Sequence, residues 1–222
     1  MLSVRNLIKI YTNRFVIPIE KNVALRTISF DAIEGQVTGI IGDSGSGKTT
    51  ILKCIGGLLE INAGEIYLDE IPVHQLSSSQ LTSFRNKYIG YISQRPNENL
   101  IEEFTVYENL EIPLIINGID PKERRNKINS LLEALGMLHL ANQKVELLSG
   151  GEAQRVSVLL ALIKSPKLLL ADEPTGELDY ENSIETFKLI RQVTKMYNCI
   201  TIVVSHDPLI FHYCDKVFRL RN

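Results

Sequence analysis

Between an apolar run, Val37 to Ile41, and a segment with helical spacing stands GDSGSGKT, Gly42 to Thr49. A Gly, four free positions, then Gly-Lys and Ser or Thr is the pattern of a phosphate-cradling loop, and it requires a strand before it and a helix after it. The glycines Gly42, Gly45 and Gly47, with Asp43, Ser44 and Ser46 between them, let backbone N–H groups come close to phosphate oxygens. Lys48 supplies a point charge, the following helix points its positive end at the same place, and Thr49, followed by Thr50, can give its hydroxyl to Mg²⁺. A glycine-rich turn that merely precedes a helix is the plain alternative, so the surroundings must decide.

They are the right ones. Residues 2–10 and 24–30 read as strands, separated by a polar connection carrying Asn13, Pro18 and Asn22, with Tyr11 where the first strand ends. Residues 36–42 form a more continuously apolar run, as a strand buried on both faces would. From Lys48 to Leu59 the apolar residues Ile51, Leu52, Ile55, Leu58 and Leu59 recur at helical spacing. Gly64–Leu68 and Tyr88–Ser93 are further strands, and the polar run SSSQ (77–80) between them is too short for a linker. After about Arg95 the pattern turns helical through Val106–Glu111 and Pro121–Leu135, Pro121 being suited to a first helical position. Residues 167–173 (KLLLADE) and 199–205 (CITIVVS) are again buried strands, separated by helical spacing at Ile184, Phe187, Ile190 and Val193, and Lys216–Leu220 is a last short strand. Strands alternating with helices predict a mostly parallel sheet whose ligands lie beyond its carboxyl ends. Gly42, Gln94, Asp172 and His206 all stand at such ends.

Two adjacent carboxylates, Asp172 and Glu173, closing an apolar strand need a cation to meet. A Mg²⁺-nucleotide site satisfies this, with Asp172 holding Mg²⁺ through water and Glu173 polarising the water that attacks the γ-phosphate. Ser149 and Glu152 form an S-x-x-E capping box, a pattern that mostly just caps helices. Gly150 and Gly151 are poor helix formers, yet they make sense if a phosphate must approach Ser149 and the exposed N–H groups. Taken singly, Gln94 is an ordinary loop residue and His206 an ordinary surface histidine. Their strand-end positions raise both, Gln94 as part of the Mg²⁺ and water shell and His206 as a donor to the γ-phosphate. Tyr11 is either a stacking platform for adenine or a sheet-edge tyrosine, and His74, His139 and His212 read as structural.

The 24 basic and 26 acidic residues, with a pI near 6.1, give no electrostatic case for nucleic acid as the main partner. Cys54, Cys199 and Cys214 are too scattered for a zinc site or disulfide framework and suit the cytoplasm. No signal peptide opens the chain and no apolar run reaches the ~20 residues of a membrane span, so any spanning helices must come from another chain.

GDSGSGKT, Gln94, LSGGE (148–152), LLLADE, ELD (177–179) and His206, in that order and spacing, resemble the nucleotide-binding subunit of an ATP-binding cassette (ABC) transporter. VALRTISF, TVYENLEIPLIING, ADEPTGELD and VVSHDP are similar to the lipoprotein-releasing, macrolide-efflux, antimicrobial-peptide-resistance and cell-division ATPases of that family. The resemblance implies an α/β P-loop NTPase fold, one cassette over residues 1–222 with a mostly parallel core sheet, an antiparallel β subdomain and an inserted helical subdomain. Residues 1–94 and 165–222 would form the nucleotide-binding core and 95–164 the helical lobe with the signature motif. It further implies ATP and Mg²⁺ as ligands and two copies packed head to tail. Residues 42–50, Gln94, Asp172, Glu173 and His206 then serve one ATP, Ser149 to Glu152 serve the ATP of the opposite copy, and Asp179 links the sites. The implied membrane partner is an integral permease with few spanning helices and a large extracytoplasmic domain, contacted by the loop after Gln94 to about Pro113, with the ATPase peripheral on the inner face of the cell membrane. Export, lipoprotein extraction or peptide resistance would be the work done; the alternatives are a signalling complex that controls an envelope enzyme or sensor, and a soluble repair or translation cassette. Glu177 stands where these relatives commonly have Asn, and Leu160 where they usually have Arg; the extra carboxylate is expected to retune dimer closure.

Overall fold

The computed structural model describes residues 1–13 and 20–220. The connection around Pro18, and Asn222, therefore lie outside the described residues. The strands sort into two sheets. β1 (Leu2–Asn13), β2 (Glu20–Ala32), β4 (Ala63–Leu68) and β5 (Ile71–Pro72) form an antiparallel sheet in the order β2-β1-β4-β5. β3 (Val37–Ile41), β6 (Ile89–Ile92), β7 (Leu168–Asp172), β8 (Ile200–Ser205) and β9 (Lys216–Arg219) form a second sheet, order β6-β7-β8-β3-β9, with every pairing parallel.

The parallel sheet is buried on both faces, and its alternation divides the core in two. Leu168, Leu170, Ile200, Ile202, Val204 and Ile40 pack with Ile51, Leu52 and Ile55 of α1 (Lys48–Ile55) and with the antiparallel sheet. Leu169, Ala171, Val203 and Val37 face the other way, onto α5 (Gly150–Leu162) and α6 (Tyr180–Tyr197) through Val156, Leu159, Phe187 and Ile190. Such two-sided burial explains why these strands are continuously apolar. Between β6 and β7 in the chain lie α3 (Val106–Ile116), α4 (Pro121–Ala134) and α5, with no strand among them.

Several boundaries differ from the sequence expectation: β2 begins at Glu20 rather than residue 24, so that Asn22 is paired opposite Tyr11 instead of lying in the connection, and α3 runs on to Ile116 rather than Glu111. β1 continues past Tyr11 to Asn13, because beyond Ile8 it stays paired to β2 alone. α1 stops at Ile55 rather than Leu59, since Gly56 caps it and Gly57 turns left-handed at φ 64°. SSSQ is the start of a helix, α2 (Ser78–Tyr88): Ser77 accepts from the Gln80 N–H while the Gln80 side chain bonds back to the Ser77 N–H. β8 is followed by α7 (Ile210–Tyr213), which packs beside β3 and delivers the chain to β9.

Candidate functional site

β3 ends at Ile41 and the chain turns through Gly42–Gly47 into α1, so the phosphate-loop motif sits at a carboxyl end of the parallel sheet. Gly47 is the helix N-cap at φ 95°, and a Cβ there would lie 2.4 Å from the Ala24 carbonyl oxygen, so only glycine fits. α1 has no side-chain cap, whereas α2, α3, α4, α5 and α6 are capped by Ser77, Thr105, Asp120, Ser149 and Asp179. The N–H groups of its first turn are thus left for a ligand. Ser46 Oγ, inside the loop, is buried with no hydrogen-bond partner among the described residues. A cleft of about 780 Å³ opens in front, lined among others by Tyr11, Lys48, Thr49, Gln94, Glu173 and His206, a volume suited to a nucleotide-sized guest.

Lys48 is 6% exposed, and its ammonium donates to the carbonyls of Gly42 (2.7 Å) and Asp43 (3.1 Å) and lies 3.2 Å from Glu173 Oε1. The other Glu173 oxygen accepts from the His206 backbone N–H at 3.1 Å and lies 2.8 Å from His206 Nδ1. One carboxylate therefore joins the lysine of one strand end to the histidine of another. Glu173 holds a left-handed backbone, φ 48°, which costs a non-glycine residue about 1–2 kcal/mol. Its own N–H is tied to the Val204 carbonyl at 2.9 Å, so the sheet fixes the conformation that aims the carboxylate, as strained residues at functional sites commonly do.

Beside these three residues Thr49 Oγ1 donates to Asp172 Oδ1 at 2.9 Å and the Tyr91 hydroxyl donates to Asp172 Oδ2 at 3.0 Å. Burial pushes the Asp172 carboxyl above the usual range; the two hydroxyl bonds oppose this, and the neighbouring Glu173 charge adds to it. Burial also pushes the Tyr91 phenol up, which keeps it a donor. Two adjacent hard oxygen ligands, a hydroxyl and a carboxylate, suit a small hard cation that keeps waters and brings phosphate oxygens with it. Tyr91 had no sequence signal, because its contact depends on β6 lying beside β7, a pairing that periodicity does not specify.

Gln94 follows β6 and lines the same cleft, its Nε2 standing 3.1 Å from where a Gly176 Cβ would be. Tyr11 is half exposed at the rim, its hydroxyl 3.5 Å from Thr50 Oγ1. Ser149, Gly150, Gly151, Glu152 and Asp179 do not line this cleft. The Ser149 hydroxyl accepts from the Glu152 N–H (3.3 Å), and in return the hydroxyl (2.7 Å) and the Ser149 backbone N–H (2.9 Å) donate to Glu152 Oε2, which holds the Glu152 carboxyl below its usual range. The two glycines have different reasons. A Cβ on Gly151 would lie 2.0 Å from Asn182 Oδ1, so this glycine serves packing within the chain, while Gly150 faces open space. Asn182 is in turn held by Asp179, the N-cap of α6, through its N–H (2.8 Å) and its side-chain amide (2.9 Å).

Glu177 is not a free carboxylate: Arg95 Nε donates to its Oε1 at 2.8 Å. Leu160 packs against the helical side of the core. His74 is structural as expected, its Nδ1 lying 3.2 Å from the Ile66 N–H nitrogen and 3.1 Å from the Ile66 carbonyl. Among the described residues no helix is long and apolar enough to cross a membrane.

A family model for ABC transporters matches residues 25–176. The lipoprotein-releasing system ATP-binding protein LolD of Koribacter versatilis (strain Ellin345) is 36% identical over 193 residues, which is 87% of this chain and 86% of LolD. A dimeric structure of the ATP-binding cassette MJ0796, in a post-hydrolysis state bound to ADP and Pi, superposes with a TM-score of 0.84 at 32% identity, covering 100% of this chain and 94% of that one. CbiO1 of Clostridium perfringens, part of the ABC transporter complex cbiONQ, gives 0.89 at 29% identity, covering 99% and 84%.

Proposed function

The chain belongs to the ABC transporter family and is an ATPase, and on that premise we propose that it works as a pair of cassettes which close on two ATP molecules to drive a separate membrane subunit. The observation that carries this reading is the Glu173 carboxylate held between Lys48 and His206 beside the uncapped start of α1. ATP enters the cleft with its phosphates on the N–H groups of residues 42–50 and on Lys48, and its adenine on Tyr11. Thr49 and Asp172 would hold Mg²⁺, with Gln94 completing its shell through water, and the metal would supply charge neutralisation to the phosphates. Lys48 shifts from Glu173 to the γ-phosphate, which frees the Glu173 carboxylate to take the proton of the attacking water. The His206 backbone N–H, already bonded to Glu173, keeps that carboxylate aimed, while the imidazole leaves Glu173 to donate to the γ-phosphate.

Ser149 to Glu152 stand apart from the cleft of their own chain, so they serve the ATP bound by a second copy, and Asp179 joins the two sites. A dimeric relative bound to ADP and Pi supports that arrangement. Residues 95–164 act as a lobe that moves against the core, 1–94 and 165–222, and the segment from Gln94 to about Pro113 meets the permease. With a lipoprotein-releasing protein among the relatives, the work done is extraction or export across an envelope. The permease carries a large extracytoplasmic domain, and the ATPase sits on the inner face of the membrane.

The test is Glu173→Gln. It keeps the shape of the side chain and removes the base, so the variant should hold ATP without turning it over and elute as a dimer in ATP and as a monomer without it. A Gln variant that hydrolyses ATP at the parent rate would remove the base from Glu173. Purification of the chain with its partners from native membranes tests the second half: an integral protein with a large extracytoplasmic domain should come with it, and recovery of soluble partners alone would overturn the transporter assignment.

A further inference from the structure

Two consecutive residues after β6 meet two consecutive residues after β7. Gln94 Nε2 lies over Gly176, so close that a Cβ there would stand 3.1 Å away, and Arg95 Nε donates to Glu177 Oε1 at 2.8 Å. Glu177 lies two residues before Asp179, the cap of α6. Each of these loops is also tied to α5, but separately. The Gln154 amide donates to the Ser93 carbonyl at 3.2 Å, which anchors the base of the Gln94 loop. On the other side Arg155 reaches Asn182 Oδ1 at 3.2 Å and Glu185 at 2.8 Å, and Asn182 holds Asp179. The Arg95–Glu177 pair closes this triangle as the direct ionic link between the two loops.

The geometry points to Arg95 and Glu177 as positioning residues: their ion pair makes the Gln94 loop and the Asp179 loop move as one body, so that the membrane-facing loop sets the reach of Asp179 toward the second cassette. The inference rests on the two-cassette reading above. Both side chains are substantially exposed, 62% and 46%, so in the single chain the pair adds little to global stability. Its effect is local: without it, two loops that closure must align have to be ordered independently, at an entropic cost that falls on dimer formation. The same pairing accounts for a carboxylate at residue 177 so near Asp179, because the Arg95 guanidinium neutralises it before the second copy arrives.

Hydrogen exchange on the full ATP-free chain reads the link without any dimer. Arg95→Ala should speed exchange of the amides of residues 176–179, and Glu177→Ala those of 94–99, while α1 and the sheets stay at the parent rate. In the Glu173→Gln background, each single variant should weaken ATP-driven dimerisation by about two- to fivefold, the fold-change of an exposed ion pair. The double variant should be no worse than either single one, and the exchanged pair R95E with E177R should return both readouts to the parent value. Unchanged exchange in both loops, additive losses in the double variant, or failure of the exchanged pair to rescue would overturn the link. A Glu173→Gln parent that stays monomeric in ATP would instead remove the two-cassette reading, and exchange in the ATP-free chain would still decide whether Arg95 and Glu177 join the loops.

Discussion

Asp172 shows how a single carboxylate is held ready at a cost to the empty protein. Its two oxygens are claimed by different hydroxyls, Thr49 on one and Tyr91 on the other, which hold the group against rotation behind Thr49, a residue that itself lines the cleft. Two neutral donors do not offset burial fully, and the pKa lies above its ordinary value. The folded chain therefore keeps a proton that the unfolded chain has released. Between the unfolded value, about 4, and the raised folded value, folding takes up that proton, so stability falls as pH rises through the window. Asp172→Asn removes the charge and keeps the shape. In the absence of nucleotide it should melt higher than the parent at pH 7. The gap should narrow as the pH falls toward about 4, and thermal unfolding across that range checks it. Parallel pH profiles for the two proteins would show that the ionised carboxylate costs the fold nothing. The same variant should lose Mg²⁺-dependent ATP hydrolysis, because the anionic group proposed to hold the metal is gone.

At the scale of elements, the start of α5 is where helix stability and ligand binding separate. Gly150 and Gly151 weaken the first turn equally by propensity, but one faces open space and the other is filled by Asn182 from α6. Gly150→Ala should therefore raise stability toward urea by up to ~1 kcal/mol, while blocking ATP-driven dimerisation if a phosphate of the second copy must approach there. Gly151→Ala should lower stability by about 1–3 kcal/mol, because Asn182 must leave and release both Asp179 and Arg155. Urea titration of both variants separates the two roles, and shifts of the same sign would sink the distinction. These elements also show what the sequence could carry. The strands of the parallel sheet were legible because burial on two faces writes an unbroken apolar run, as in LLLA before Asp172 and ITIVV before Ser205. α2 was not, because Phe84 alone among its residues is buried and leaves no period to read; its one sequence mark was the S-x-x-Q box at Ser77. The grouping of Gly42, Gln94, Asp172 and His206 followed from strand ends alone. The contacts of Tyr91 with Asp172 and of Arg95 with Glu177 did not, since they span 81 and 82 residues and depend on strand order.

The whole molecule keeps two motifs apart: the cleft before α1 is lined by the phosphate loop, Glu173 and His206, while the capped start of α5 lies outside it. If each ATP needs the phosphate loop of one copy and Ser149 of the other, two differently damaged copies can repair each other. Lys48→Ala destroys the phosphate loop and keeps the start of α5; Ser149→Arg does the reverse, placing bulk and positive charge where the second copy's ATP must dock. Each variant alone should be inactive, since every site in its homodimer carries one damaged half. Mixed in equal amounts, half of the dimers are hybrids, and each hybrid has one site built from two intact halves and one built from two damaged halves. About a quarter of all sites are then complete, the statistical expectation for freely exchanging symmetric dimers. ATPase activity should rise on mixing to no more than about that fraction of the parent rate, and should depend on total chain concentration as the parent's does. A mixture as inactive as its components, with hybrids demonstrated by differently tagged copies, would mean that the two motifs do not meet across a shared ATP. Activity in Ser149→Arg alone would mean that one cassette hydrolyses ATP without the second.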